Sequence, residues 1–294
     1  MKKAILLAGA TSSGKTKLSI EIAKKYGFEV INCDSVQVYS DLNIGSMKIS
    51  ESEMEGVKHH LLSLVSSKEK YSVADFKIKF LEIEKNLETL FLVGGSGLYA
   101  KALLFSYDLK GTPHDINYSN VVKDKSSDIL FEEILAIDPF NKVDSKNRIR
   151  LERMHERVVF RKEIVPKVKN TPNFDNLVIY LDVPRDILKE RLEKRLEEQL
   201  KLGFIDEVKS LKDNGTSLNI IGYREIGLYL NNEISLDSSK ERIIKSSMRL
   251  AKKQKTWFKN QFDCSIINVC ENNFKIKVYN LIDTFLGIGE SEGE

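Results

Sequence analysis

Gly9-Ala10-Thr11-Ser12-Ser13-Gly14-Lys15-Thr16 is the stretch on which the fold turns. It follows the apolar run Ala4-Ile5-Leu6-Leu7-Ala8 and precedes Leu18, Ile22 and Ala23 at helical spacing. A glycine-rich loop between a strand and a helix N-terminus points free backbone N–H groups at an anion. The stretch therefore predicts a ligand carrying a diphosphate or a triphosphate, cradled by the main chain of Gly9, Ala10, Thr11, Ser12, Ser13 and Gly14. Gly9 and Gly14 permit positive φ and close backbone approach. Lys15 reaches terminal phosphate oxygens, and the Thr16 hydroxyl is placed to hold a Mg²⁺ ion. Such a loop sees only oxygens, so a nucleotide and a prenyl diphosphate look alike to it.

Working outward, Val30-Ile31-Asn32-Cys33, Leu90-Phe91-Leu92-Val93 and Val178-Ile179-Tyr180-Leu181 read as further buried strands. Helical patterns separate them, as where Val73, Phe76, Phe80, Ile83 and Leu87 recur at three- or four-residue steps. The alternation predicts an α/β fold, a P-loop NTPase-like parallel sheet with helices on both faces. Ligands of such sheets gather beyond the carboxyl ends of the strands. The segments after the first three strands, the phosphate loop, Asp34-Ser35-Val36-Gln37-Val38-Tyr39 and Gly94-Gly95-Ser96-Gly97-Leu98-Tyr99, should border one cleft. Asp34 is either a helix cap or Mg²⁺ ligand, or a general base taking a proton from an incoming nucleophile. Gly94 to Gly97 reads as a tight turn or as a surface open to a flat substrate, with the Ser96 hydroxyl as a polar contact.

Beyond residue 111 the pattern changes. Pro113, Pro166 and Pro172 bracket helical patterns without a core strand, which predicts an inserted helical subdomain over 112–174 in a core made of 1–111 and 175–286. Residues 141–170 hold ten Lys and Arg against four Asp and Glu, and a second basic helix over 239–259 holds eight against one. The whole chain of 294 residues carries a net charge of only +3, so the charge is segregated. Two basic elements favour a polyanion larger than a diphosphate, with nucleic acid the obvious candidate. Residues 188–211 read as a surface helix pair broken near Gly203. In Gly222-Tyr223-Arg224-Glu225, Arg224 could reach a ligand phosphate. Residues 287–294 read as a disordered acidic tail.

Composition excludes several classes. Cys33, Cys264 and Cys270 have no C-x-x-C spacing, and the four histidines form no zinc pattern; His59-His60 is expected to make local hydrogen bonds. No apolar run is long enough to span a bilayer. With no secretory leader, a soluble cytoplasmic protein is expected.

Taken in order, the motifs resemble one family. They are the phosphate loop, Asp34-Ser35-Val36-Gln37-Val38-Tyr39, His59-His60-Leu61, Tyr71-Ser72-Val73-Ala74-Asp75-Phe76, Val93-Gly94-Gly95-Ser96-Gly97-Leu98-Tyr99, Ile221-Gly222-Tyr223-Arg224-Glu225 and Ala251-Lys252-Lys253-Gln254-Lys255-Thr256-Trp257-Phe258. The chain resembles the tRNA dimethylallyltransferases from its first strand to about Phe258. The resemblance implies transfer of a dimethylallyl group from its diphosphate to the exocyclic amine of the adenosine immediately 3′ of the anticodon, with diphosphate as leaving group and no ATP hydrolysed. It implies Mg²⁺ at Thr16, with Lys15 and Arg224 also neutralising the departing diphosphate. Asp34 would accept the amine's proton or hydrogen bond, and Ser96 would hold the same base. Asp34, Ser35, Val36 and Gln37 would line the region that receives the flipped base. The insertion would grip the tRNA anticodon stem-loop through Arg148-Ile149-Arg150-Leu151-Glu152-Arg153. The expected partners are thus tRNA and dimethylallyl diphosphate, with no membrane, and the chain is expected to act as a monomer. This chain has Ala10 where the family usually has Pro, Ser96 where it has Thr and Ile149 where it has Gln. Ser keeps the hydroxyl and Ala leaves the loop intact, whereas Ile149 and the short 111–128 stretch bear on the tRNA contacts. The rival readings are a small-molecule kinase, which leaves the basic elements unexplained, and a non-catalytic RNA-binding relative.

Overall fold

Residues Ala4 to Ala8 have no exposed surface, because their strand lies inside a sheet covered on both faces. The computed structural model describes residues 1–69, 71–106, 117–163, 171–216 and 219–288. Its six strands, β1 (Lys3–Gly9), β2 (Val30–Asn32), β3 (His59–His60), β4 (Thr89–Gly94), β5 (Asp175–Asp182) and β6 (Ser265–Asn268), form one parallel sheet in the order β3-β2-β4-β1-β5-β6. The four expected strands are all present. The edge strands β3 and β6 escaped the apolar pattern because they are only partly buried.

Alternation along the strands builds two cores. Ala4, Leu6 and Ala8 join Leu90, Leu92, Val178 and Tyr180 on one face, under Phe76 and Phe80 of α3 (Val73–Glu84) and Tyr99 and Leu103 of α4 (Gly97–Leu104). Ile5 and Leu7 join Phe91, Ile179 and Leu181 on the other, under α1 (Lys15–Tyr26) and, near the chain's end, α12 (Phe274–Leu286). Helix starts follow local chemistry. Ser50 with Glu53 opens the short α2 (Glu51–Met54), and Ser72 with Asp75 opens α3, each as a capping box.

A third cluster lies beyond the sheet. α8 (Arg185–Lys201) and α9 (Phe204–Asp213) are separated by Gly203 at φ +96°, a left-handed value that favours glycine. Leu196, Phe204 and Val208 pack there with Tyr223 and Ile226 of α10 (Tyr223–Leu230) and Ile243 of α11 (Leu236–Gln261). α11 has 26 residues, about 39 Å at 1.5 Å per residue, so it reaches from this cluster at Ile243 to the sheet core at Phe258.

The chain divides into two units, Met1–Ser106 with Thr171–Glu294, and Tyr107–Asn170. Residues 171–174, expected in the insertion, belong to the first unit. Ser106 N donates to Thr171 O over 2.8 Å, Asn173 N donates to Leu104 O over 2.8 Å, and Phe174 lies in the sheet core. The second unit contains α5 (Tyr118–Val121), α6 (Ser127–Ile137), α7 (Arg148–His155) and a π-helical turn at Glu156–Phe160. It has its own apolar core of Tyr118, Val122, Leu130, Ile134, Leu151 and Val158. Buried inside it, His155 pairs its two ring nitrogens with the Tyr118 hydroxyl and the Glu133 carboxylate. Pro113, Pro166, Lys167 and Lys169 lie outside the described residues. Of the acidic tail, Gly287 and Ile288 close α12 through Gly287 N to Thr284 O and Ile288 N to Asp283 O; 289–294 lie outside the described residues. Among the described residues no helix is long and apolar enough to cross a membrane.

Candidate active site

β2, β4 and β1 are neighbours in the sheet, so the loops leaving their carboxyl ends converge. Two chambers open there. A polar one of about 330 Å³ is lined by Thr11 to Lys17, Asn32, Gln37, Met47 and His59. A larger, mainly apolar one of about 500 Å³ is walled by Val36, Leu192, Leu196, Phe204, Ile221 and Trp257. Asp34, Thr11, Ser46 and Arg195 line both, and so mark where the chambers meet.

The phosphate loop forms the floor of the polar chamber. Ser13 N donates to Ala10 O, Ser12 sits at φ +64° and Gly14 at φ +89°, which bends the loop into the start of α1. Lys15 Nζ folds under the loop and donates to Gly9 O at 2.8 Å and Ala10 O at 2.6 Å. Burial pulls its pKa down to about 8; the Asp34 carboxylate opposes that shift, and Arg195 adds to it. Thr16 is exposed toward the chamber in the first turn of α1. Ser12 Oγ is buried with no hydrogen-bond partner among the described residues. A buried polar atom left so beside a cation and a helix N-terminus fits an anionic ligand.

Asp34 follows β2, and its Oδ1 accepts from Val36 N at 2.8 Å, which fixes the carboxylate at the junction. Ser96 Oγ accepts from Ser35 N at 2.9 Å and donates to Ser35 Oγ at 3.1 Å, so the loops after β2 and β4 are tied together. Ser35, Val36 and Ser96 line the apolar chamber, whereas Gln37 lines the polar one and donates to Met47 O.

The glycines after β4 answer to packing within the protein. A Cβ on Gly94 would overlap the Cys33 main chain, and one on Gly97 would overlap the Trp257 ring. Gly95 is held close to Gln254, whose Nε2 donates to Gly95 O at 2.9 Å. Packing alone thus requires glycine at 94 and 97: Trp257 of α11 occupies the face of Gly97.

Arg224 does not reach either chamber. Its guanidinium pairs with Glu225 and with Asn219 Oδ1, and it is half exposed. The arginines at the phosphate loop come from α8, the helix expected to lie on the surface: Arg191 Nη1 donates to Ser12 O at 3.4 Å, and Arg195 lines the polar chamber, its pKa lowered by burial, a shift opposed chiefly by Asp34. Gln199, one turn further along α8, is buried in the apolar chamber. Sequence reading missed Arg195 and Gln199 because a Lys- and Glu-rich helix hides two inward polar residues at i and i+4. That spacing, on the face of Leu192 and Leu196, was the available signal.

In the second unit the basic segment splits. Arg148 Nη1 and Nη2 donate to Lys125 O and Val122 O, and its Nε pairs with Glu152, so this arginine ties α7 to the α5–α6 connection. Leu151 is core and Glu152 accepts from the Ser119 hydroxyl. Ile149, Arg150 and Arg153 are exposed. On α11, Arg242, Lys245, Arg249, Lys252 and Lys253 are likewise exposed, and Lys253 stands on the wall of the apolar chamber.

Residues 37–261 match the family model described as IPP transferase. The chain is 42% identical over 293 residues to the tRNA dimethylallyltransferase of Phytoplasma australiense, covering 97% of this chain and 99% of that one. It is 41% identical to that of Acholeplasma laidlawii, covering 98% and 100%. The solved tRNA isopentenylpyrophosphate transferase of Bacillus halodurans superposes with a TM-score of 0.75 at 30% identity, covering 98% of each chain. A eukaryotic dimethylallyltransferase solved while acting on tRNA has a TM-score of 0.81 at 23% identity, over 100% of this chain and 82% of that one, a likeness of fold.

Proposed function

The chain belongs to the IPP transferase family of tRNA dimethylallyltransferases, and on that premise we propose how its two chambers divide the reaction. The enzyme transfers the dimethylallyl group from dimethylallyl diphosphate to the N6 amine of the adenosine immediately 3′ of the tRNA anticodon and releases diphosphate. The diphosphate lies in the polar chamber against the loop N–H groups of Gly9 to Gly14, Lys15, Thr16 and Arg195. The five-carbon group and the extruded adenine meet at the junction, with the base against the apolar wall. The observation that carries this reading is that Asp34 lines both chambers.

An exocyclic adenine amine is a weak nucleophile. As its nitrogen bonds to the allylic carbon, the carbon–oxygen bond to diphosphate breaks, and the amine proton passes to the Asp34 carboxylate. Lys15 and Arg195 are fixed cations at the oxygens on which negative charge grows. The apolar wall keeps water from the electrophilic carbon. Ser96, held by Ser35, sets the β4 loop beside the base.

The donor set suits Mg²⁺. The Thr16 hydroxyl and the Asp34 carboxylate are hard oxygen donors of the kind Mg²⁺ takes, and a bound ion would complete its shell with diphosphate and water oxygens. Thr16 and, on its chamber side, Asp34 line the polar chamber and are the residues that would hold the ion. When bound, the ion would offset charge on the leaving group.

Arg150 and Arg153, with the exposed cations of α11, are the residues proposed to hold the tRNA anticodon stem-loop. Radiolabelled dimethylallyl diphosphate, unmodified tRNA and Mg²⁺ without ATP test the whole reading. Label mapped by nuclease to the adenosine beside the anticodon is expected. No label, with ATP turnover on a small acceptor, would move the enzyme to the kinase class.

A further inference from the structure

Residues 43–46 lead to where the chambers meet, with Gly45 on the apolar one and Ser46 on both, yet their main chain belongs to no strand or helix. Besides the turn bonds from Lys48 N to Asn43 O and from Met47 N to Ile44 O, their polar groups are held by side chains of the helices after β5. The Glu207 carboxylate of α9 accepts from Asn43 N at 3.0 Å, Ile44 N at 2.7 Å and Gly45 N at 3.0 Å. Gln199 donates to Ile44 O at 3.1 Å and Gly45 O at 2.7 Å. Arg195 Nη2 then donates to Ser46 O at 2.8 Å. The Tyr223 hydroxyl gives Glu207 a fourth donor at 2.8 Å, and burial beside that carboxylate pushes the phenol's pKa up. Gly45 has no room for a side chain, since a Cβ would overlap the Phe204 and Tyr223 rings.

We propose that Glu207 is a positioning residue for the transfer reaction: through residues 43–46 it sets the Ser46 carbonyl that aims Arg195 at the diphosphate. The inference rests on the placement of diphosphate beside Arg195. Glu207 touches no chamber itself and acts at one remove. A carboxylate is required because four donors converge on it, two per oxygen. An amide in its place turns an N–H₂ group against backbone N–H groups, and the segment must shift to relieve that clash.

The test is a double-mutant cycle on the full chain, read by calorimetric binding of inorganic diphosphate with Mg²⁺. Glu207→Gln is expected to weaken binding about tenfold in the wild-type background and less than about twofold in an Arg195→Ala background. The KM for dimethylallyl diphosphate should rise while that for tRNA stays within about twofold. Equal losses in both backgrounds, or no loss, would overturn the inference. If Arg195→Ala alone leaves diphosphate binding unchanged, the diphosphate placement fails instead, and the two failures are distinguishable. Should Glu207→Gln not fold, Tyr223→Phe, which removes one donor and keeps the ring, runs the same cycle with an expected loss of about threefold.

Discussion

Trp257 lies against Gly97 so closely that a methyl group on the glycine would overlap its six-membered ring. Trp257 is the chain's one tryptophan and part of the apolar wall, so a packing contact 160 residues apart in sequence shapes the site. Gly97→Ala should cost about 1–3 kcal/mol by overpacking and shift the tryptophan emission, both measured in a thermal melt followed by fluorescence. An unchanged spectrum with unchanged stability would contradict the packing account.

Because Trp257 is a lone reporter on the apolar chamber, it separates the two substrates. Adenine-bearing anticodon stem-loop should quench its emission, whereas inorganic diphosphate alone should change it little. Equal quenching by both would place the base elsewhere.

Asp34 is proposed as the proton acceptor at the chamber junction. Asp34→Ala should lower kcat by about 10²–10⁴ while tRNA affinity stays within a few-fold, measured by single-turnover transfer and filter binding. A loss confined to binding would assign Asp34 to grip rather than chemistry.

Lys15 has its pKa lowered to about 8, so above that pH the free enzyme loses the cation that diphosphate requires. The sign follows directly. Below pH 8 Lys15 is charged and affinity is flat; above it affinity should fall about tenfold per pH unit, with proton uptake on binding. Titration of diphosphate binding between pH 7 and 9.5 checks this, and Lys15→Met should abolish the bend along with most of the affinity.

The arginines of the insertion should behave differently from one another. Arg148→Ala removes bonds to Lys125 O, Val122 O and Glu152, and should destabilise the second unit by about 1–3 kcal/mol. Arg150→Ala and Arg153→Ala should leave melting unchanged and each reduce the salt slope of tRNA binding by about 1. Salt titrations beside melting curves discriminate the two behaviours.

The central strands and the phosphate loop were legible because their signals are local. β1, β4 and β5 are buried on both faces and read as continuous apolar runs, while Gly9, Gly14, Lys15 and Thr16 act within one turn of chain. The positions of Asp34 and Ser96 followed from the parallel-sheet rule, since each comes directly after a strand. The edge strand His59–His60 was hidden by partial burial, and Arg195 by a helix whose charged residues all look solvated in one dimension.

What the sequence determined by itself is therefore the four inner strands of the sheet, the anion-binding loop and the loops that follow those strands at the carboxyl edge, all set by short-range periodicity and backbone freedom. Tertiary structure decided which arginines face the loop, Arg191 and Arg195 of α8, with Arg224 turned to Glu225 and Asn219, and why Gly94 and Gly97 are there, to admit Cys33 and Trp257. It also decided that residues 43–46 are held by Glu207 and Gln199. These contacts join residues far apart in the chain, and a side chain's direction at such distances is fixed by how helices pack, which one-dimensional spacing does not encode.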